Sequence, residues 1–242
     1  MLTKEIEFYG YELTPSRFVR ASAILRRMQQ VAGEDVTQYG LGYDFLLSRG
    51  VVFVLSKLRF RLLRPLRSGE TYFLTTHSRR IHGVTFVRDF TLEDQEGKNL
   101  LNCESLWCLL DFEKRTIARP NALPLEKMVY SSPETILETR RLFLPQEEKS
   151  ASMRREVLPS LLDQNRHLNN CNYADLVLDI LPREDSEIRD LQIDFKKEAL
   201  LDETLLIERF PTEGGYFIAG SFENTGEKCF FARAETFGEE NV

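Results

Sequence analysis

The chain has 242 residues, 42% of them hydrophobic and 11% aromatic, which is core enough for one large domain or two of about 120 residues. The Met1 end lacks a basic-then-apolar leader and no apolar run approaches the roughly 18 residues that span a bilayer, so the sequence reads as cytoplasmic and without membrane insertion. The net charge of −6 hides a basic first portion, since residues 1–90 hold 14 Lys and Arg against 8 Asp and Glu; such a distribution argues against a nucleic-acid binder and suits docking of a compact acidic partner.

In chain order, a short strand-like start leads to Thr14-Pro15-Ser16, which reads as a helix entry with Thr14 as cap and Pro15 in the first turn. Phe18, Ala21, Leu25, Met28 and Ala32 then form the apolar stripe of a helix running to about Asp35. A second, short helix is expected over residues 43–48. From Val51 the grammar changes to strands, expected over 51–63, 71–80, 83–92 and 100–112, with Ser68-Gly69, His82-Gly83 and Glu96-Gly97 as the turns of an antiparallel meander. Arg17, Arg20, Arg26, Arg27, Arg59, Arg61, Arg64 and Arg67 are the contributors to the basic surface, with solvated helix and strand faces as the plain alternative.

Residues 119–150 carry Pro120, Pro124, Pro133 and Pro145 in mixed polar sequence and read as a linker with a short helix near residues 133–140. The grammar then repeats. An extended segment over 152–158 and a helix after Asn170 precede strands over 190–197, 203–210, 216–223 and 228–236. Leu58-Arg59-Phe60-Arg61 lies against Ile193-Asp194-Phe195-Lys196, and the stretch from Thr91 to Lys98 against that from Ser221 to Lys228, so the second half is a shorter copy of the first. The expected domains are 1–118 and 151–242, joined by 119–150. The fold class is α+β, with each domain a helix on an antiparallel sheet.

Asp163-Gln164-Asn165-Arg166-His167-Leu168-Asn169-Asn170-Cys171-Asn172-Tyr173 is the densest polar cluster in the chain. Tyr173, Leu176, Val177, Ile180 and Leu181 follow at helical spacing, so the cluster is expected at a helix N-terminus, where free N–H groups and the macrodipole favour a developing negative charge. His167 is the side chain there that titrates most readily near neutral pH. On the residues alone, the cluster is either a site or a generous cap with a structural histidine. Cys103, Cys108, Cys171 and Cys229 show no CxxC pair, so neither a disulfide framework nor a metal site is expected, and no cofactor is implied.

The run from Leu162 to Tyr173 resembles the Asp-x-Asn-x-His-x-Asn-Asn-x-x-Tyr signature of the acyl-ACP thioesterases of plants and bacteria. That resemblance implies two tandem hot-dog domains and hydrolysis of a fatty acyl thioester carried on the phosphopantetheine arm of acyl carrier protein. It places Asp163, Asn165 and His167 in the family's catalytic positions. A fourth acidic position falls on Glu198, which strict strand alternation would put on the face opposite Leu191, Ile193 and Phe195, so its assignment requires a strand end or bulge. Ala199 stands where many relatives carry cysteine, which excludes a cysteine nucleophile there and favours general-base hydrolysis. Backbone N–H groups near Asn169, Asn170 and Cys171 are the expected oxyanion donors, with Asn165 as a side-chain donor. Glu198 or His167 is the base, and Asp163 orients its neighbours. The acyl tunnel is expected in the first domain, with Met28, Phe53 and Trp107 among its lining and Leu55 and Phe86 beside them; ordinary core roles are the alternative for each. The rival activities are an acyl-CoA thioesterase, a hot-dog dehydratase and a non-catalytic acyl-binding protein. The duplication either replaces a homodimer or leaves two chains to pair.

Overall fold

The computed structural model describes residues 1–79, 81–130, 137–183 and 187–238. The chain divides into two compact units. The first comprises Met1–Glu7, Arg26–Phe60 and Glu70–Thr139; the second comprises Phe8–Leu25, Arg61–Gly69 and Arg140–Val242.

In the first unit, β1 (Leu2–Glu7), β3 (Thr71–Ser78), β4 (Thr85–Glu93), β5 (Asn99–Asp111) and β2 (Val51–Leu62) lie side by side in that order, with β6 (Thr116–Ala118) paired to β5. The pairs β1–β3, β3–β4 and β4–β5 are antiparallel. In β3 the period-2 alternation buries Tyr72, Leu74, Thr76 and Ser78. The polar members of this buried row have a partner, because Arg88 on β4 donates to the hydroxyls of Thr76 and Ser78 and to Asp35 of α1 (Ala21–Thr37) at 2.8–2.9 Å. Asp35 is 1% exposed, so this is a buried ion pair in which two hydroxyls also accept from the guanidinium.

In the second unit the order is β7 (Ala151–Glu156), β9 (Thr204–Thr212), β10 (Gly215–Phe222), β11 (Lys228–Thr236) and β8 (Ile188–Phe195), again antiparallel. The helix α3 (Asn172–Ile180) packs on β7 and β9 and buries Tyr173, Leu176, Val177 and Ile180, the face expected from their spacing. The two orders are copies of one another, with β1, β3, β4, β5 and β2 answering to β7, β9, β10, β11 and β8. The matching segments 91–98 and 221–228 are the tight turns of corresponding hairpins, each with a left-handed glycine, Gly97 at φ 78° and Gly226 at φ 70°.

One expectation is corrected here. The first helix does not begin at Thr14 but at Ala21, because residues 13–19 close into a turn with Arg17 at φ 70°. The short strand β6 was not anticipated. Of the helix expected near residues 133–140, positions 131–136 lie outside the described residues and 137–140 have no helix. The short helix α2 (Tyr43–Ser48) matches its expected bounds. Among the described residues no helix is long and apolar enough to cross a membrane.

Candidate active site

Residues 162–168 form a tight hairpin. Leu162 pairs with Leu168, the Asp163 N–H donates to the His167 carbonyl at 2.9 Å, and the Arg166 N–H returns to the Asp163 carbonyl at 3.0 Å. Arg166 sits at φ 64°, the left-handed residue that completes a three-residue hairpin loop. The Asp163 side chain holds this loop from within, as Oδ1 accepts the N–H groups of Asn165 at 2.8 Å and His167 at 3.2 Å. This corrects the cap expectation. The helix starts only at Asn172, and Asp163 organises the turn that carries Asn165 and His167 rather than the helix mouth.

The amides between hairpin and helix have definite partners. Asn169 Oδ1 accepts the Cys171 N–H at 2.9 Å, the Asn169 N–H donates to the Leu161 carbonyl at 3.0 Å, and Asn172 Nδ2 donates to the same carbonyl at 2.9 Å. Two of the three backbone donors expected to face an oxyanion are therefore turned inward. The Asn170 N–H has no acceptor described among these contacts.

Glu198 reaches the histidine through backbone pairing. The Leu168 N–H donates to the Ala199 carbonyl at 2.8 Å and His167 pairs with Leu200, which sets residues 198–200 beside the hairpin. The regular β8 ladder ends at Phe195. Beyond it the N–H groups of Lys196 and Lys197 both donate to the Cys229 carbonyl, at 2.9 and 3.1 Å, so two residues of one strand face one residue of the other. This irregularity is the strand end that Glu198 required. The result is a His167 Nδ1 to Glu198 Oε2 separation of 3.6 Å, with the side chains 29% and 26% exposed. Asn165 is exposed on the loop tip. Asp163, Asn165, His167 and Glu198 thus all belong to one unit and to two adjoining turns.

The first half contains the same backbone device without the chemistry. Thr14 takes the place of Asp163: its N–H donates to the Phe18 carbonyl at 2.7 Å, its carbonyl accepts from Arg17 at 2.9 Å, and its Oγ1 accepts the Phe18 N–H at 3.3 Å. Leu13 pairs with Val19, and the Val19 N–H donates to the Leu66 carbonyl at 2.9 Å, as Leu168 does to Ala199. By this correspondence Ser16 stands for Asn165, Phe18 for His167 and Pro65 for Glu198. Phe18 is 4% exposed, with the Arg67 guanidinium over its ring at 4.7 Å. One copy holds a histidine and an acid at these positions and the other holds Phe18 and Pro65.

The proposed tunnel residues fall in the first unit. Phe53 and Trp107 pack on an apolar cluster of Leu41, Leu46, Val51, Phe86 and Leu109. Phe53 and Phe86 meet edge to face with centroids 5.0 Å apart, and Trp107 Nε1 donates to Ser105 Oγ. Met28 is buried on α1, and Leu55 is buried on β2. The basic residues are more dispersed than the sequence suggests. Arg59 is 4% exposed and donates to the Glu138 carbonyl, so it is not part of a surface, and Arg61 is paired with Asp190 at 2.7 Å. Arg17 is exposed. Among the described residues no group of three or more His, Cys, Asp or Glu side chains is placed to hold a metal ion.

Comparison with known proteins gives a consistent answer across the chain. The acyl-ACP thioesterase N-terminal domain matches residues 2–122 and the acyl-ACP thioesterase C-terminal domain matches residues 145–229. A curated relative, the chloroplastic acyl-[acyl-carrier-protein] hydrolase FATB3 of Cuphea viscosissima, is 22% identical over 211 residues; the match covers 81% of this chain and 51% of that protein. The chain thus spans about half the length of the curated relative it matches. Among solved structures, an acyl-ACP thioesterase from Bacteroides thetaiotaomicron superposes with a TM-score of 0.87 at 18% identity, covering 97% of each chain. The 12:0-ACP thioesterase from Umbellularia californica does so at 0.84 and 20%, covering 97% of this chain and 96% of that one. At those identities the structures attest the fold, two tandem hot-dog units, while the two domain matches together take in most of the sequence. The chain belongs to the acyl-ACP thioesterase family.

Proposed function

We propose that the protein hydrolyses a fatty acyl thioester borne on acyl carrier protein, releasing the free fatty acid and the carrier, with a water deprotonated in the His167–Glu198 pair as nucleophile. The observation that carries this reading is the 3.6 Å approach of Glu198 Oε2 to His167 Nδ1. A carboxylate on Nδ1 stabilises the tautomer whose Nε2 is an acceptor, leaving that nitrogen to take the proton of a water and the imidazolium balanced by Glu198 as it forms. The Asn170 N–H, with the Asn165 side chain, is then the donor to the carbonyl oxygen as charge builds on it. The proton taken by His167 goes to the departing pantetheine thiolate, and the site returns to its starting state. Asp163 acts by fixing the loop, since its two N–H acceptances define where Asn165 and His167 begin.

Residues 151–242 carry the chemistry in this reading, and residues 1–118 the acyl tunnel, with Met28, Phe53 and Trp107 in its lining, and the docking of the acidic carrier. The basic residues of 1–90 other than Arg59, Arg61 and Arg88, which are buried or paired, support that docking. The four cysteines, none of them in a disulfide, fit a reducing compartment, and the cytoplasm is the proposed location. The amide-rich hairpin beside the histidine favours hydrolysis over dehydration, because a lyase needs a dry tunnel and this pair is about a quarter exposed.

The deciding measurement is release of free thiol from a chain-length series of acyl carrier protein thioesters, with the acyl-CoA thioesters of equal length alongside. Turnover of the carrier series, faster than the CoA series, is expected. Equal or faster hydrolysis of the CoA series would make the protein an acyl-CoA thioesterase, and no thiol release from either would make it an acyl-binding protein.

A further inference from the structure

We propose that Tyr173 and Cys229 are positioning residues for Glu198, gripping the peptide group that precedes it through a buried chain of hydrogen bonds; this rests on the role given to Glu198 above. Tyr173 lies in the first turn of α3 and is 2% exposed, and Cys229 is the second residue of β11 and is fully buried. Tyr173 Oη and Cys229 Sγ are 3.5 Å apart, and Cys229 Sγ donates to the Lys197 carbonyl at 3.3 Å.

The protons can be placed in only one direction. A carbonyl only accepts, so the Cys229 S–H donates to the Lys197 carbonyl and the Tyr173 O–H donates to Cys229 Sγ. Lys197 C=O belongs to the peptide group that leads into the Cα of Glu198. One tyrosine and one cysteine therefore hold the near end of the short stretch from which the carboxylate projects, while the Leu168 N–H holds the Ala199 carbonyl at its far end. The Cys229 carbonyl adds a further hold by accepting from Lys196 and Lys197.

The clamp is itself immobilised. The Tyr173 ring meets Phe195 and Phe230 edge to face, with centroids 5.2 and 5.1 Å away. Burial keeps its members neutral, pushing the Cys229 thiol up to about 12 and the Tyr173 phenol well above its ordinary value. Glu198 follows an irregular strand end, where the ladder no longer fixes the backbone, and a misplacement of about 1 Å in such a site lowers turnover by about a hundredfold. An apolar pair would fill the same volume but would take the thiol donor away from the Lys197 carbonyl.

The test is a double-mutant cycle on purified, folded protein. Tyr173→Phe is expected to lower kcat by about 10- to 100-fold with KM within about twofold. Cys229→Ala should do the same to a smaller degree, and Cys229→Ser should recover part of that loss by restoring a donor and acceptor. In a Glu198→Gln background the Tyr173→Phe change should lower the residual kcat less than about twofold, because the group it positions is already disabled. Equal losses in both backgrounds, or wild-type kcat in Tyr173→Phe, would overturn the clamp while leaving Glu198 in place. Wild-type turnover by Glu198→Gln alone would instead remove Glu198 from the mechanism. Should Tyr173→Phe fail to fold, Cys229→Ala takes its place in the cycle.

Discussion

His167 and Glu198 stand 3.6 Å apart on two separate turns, brought together because the amide next to one, Leu168 N–H, donates to the carbonyl next to the other, Ala199 C=O. The pairing is made by backbone, so substituting either side chain leaves the framework in place. His167→Ala and Glu198→Ala are each expected to lower kcat at least about a hundredfold with little change in the urea midpoint. Loss of folding in step with loss of activity would speak against the backbone holding the pair together.

Asp163 should behave differently, because its carboxylate is inside the loop. Removing both acceptances in Asp163→Ala is expected to destabilise the protein by about 1–2 kcal/mol as well as to lower kcat, whereas Asp163→Asn, which keeps an acceptor oxygen, should retain most of the stability. Chemical denaturation of the two variants alongside the wild type checks the difference.

The periodicity of the sequence is enough to locate nearly every helix and strand, since Tyr72 to Ser78 and Tyr173 to Ile180 each bury the face their spacing dictates. What it misreads is short-range turn chemistry. Thr14-Pro15-Ser16 satisfies the signature of a helix start and that of a tight loop equally well, and the φ of 70° at Arg17 that decides between them is set by backbone pairing of Leu13 with Val19. The same ambiguity made a helix cap of the loop at Asp163. Glu198 is illegible for another reason, because side-chain alternation is a property of a continuous ladder and the ladder has ended. Arg59 looks like surface charge in sequence and is buried, because the Glu138 carbonyl partner that satisfies it is far along the chain.

The Arg88–Asp35 pair offers a stability test independent of the site. Asp35→Ala leaves a buried guanidinium with two hydroxyls as partners and is expected to cost about 3 kcal/mol or more, while the double change Arg88→Met with Asp35→Leu should recover most of that loss. Urea unfolding of the single and double variants gives both values.

Alkaline sensitivity follows from Cys229. Its folded-state value is about 12 against an ordinary value near 9, so at pH 7 the thiol is neutral in folded and unfolded chains alike and its contribution is fully present. Above the unfolded value only the unfolded chain releases the proton, and stability falls by about 1.4 kcal/mol per pH unit until the folded thiol titrates too. Unfolding free energies measured between pH 7 and 10.5 should therefore decline from about pH 9, with a shallower decline in Cys229→Ala.

Gly220 is fixed by a neighbour rather than by its dihedral. A Cβ there would overlap the Phe230 ring, which itself supports Tyr173, so Gly220→Ala is expected to destabilise by about 1–3 kcal/mol. A thermal midpoint unchanged from wild type would show that the ring can move aside.

The twin loops at Thr14 and Asp163 have a consequence for stoichiometry. In an assembly of two identical halves, every substitution lands in both sites at once, and a histidine cannot be given up in one without being given up in the other. Joining the halves in a single polypeptide lifts that constraint, so Phe18 and Pro65 are free to serve packing while His167 and Glu198 serve turnover. Active-site titration with a slowly hydrolysed acyl thioester should count one competent centre per chain.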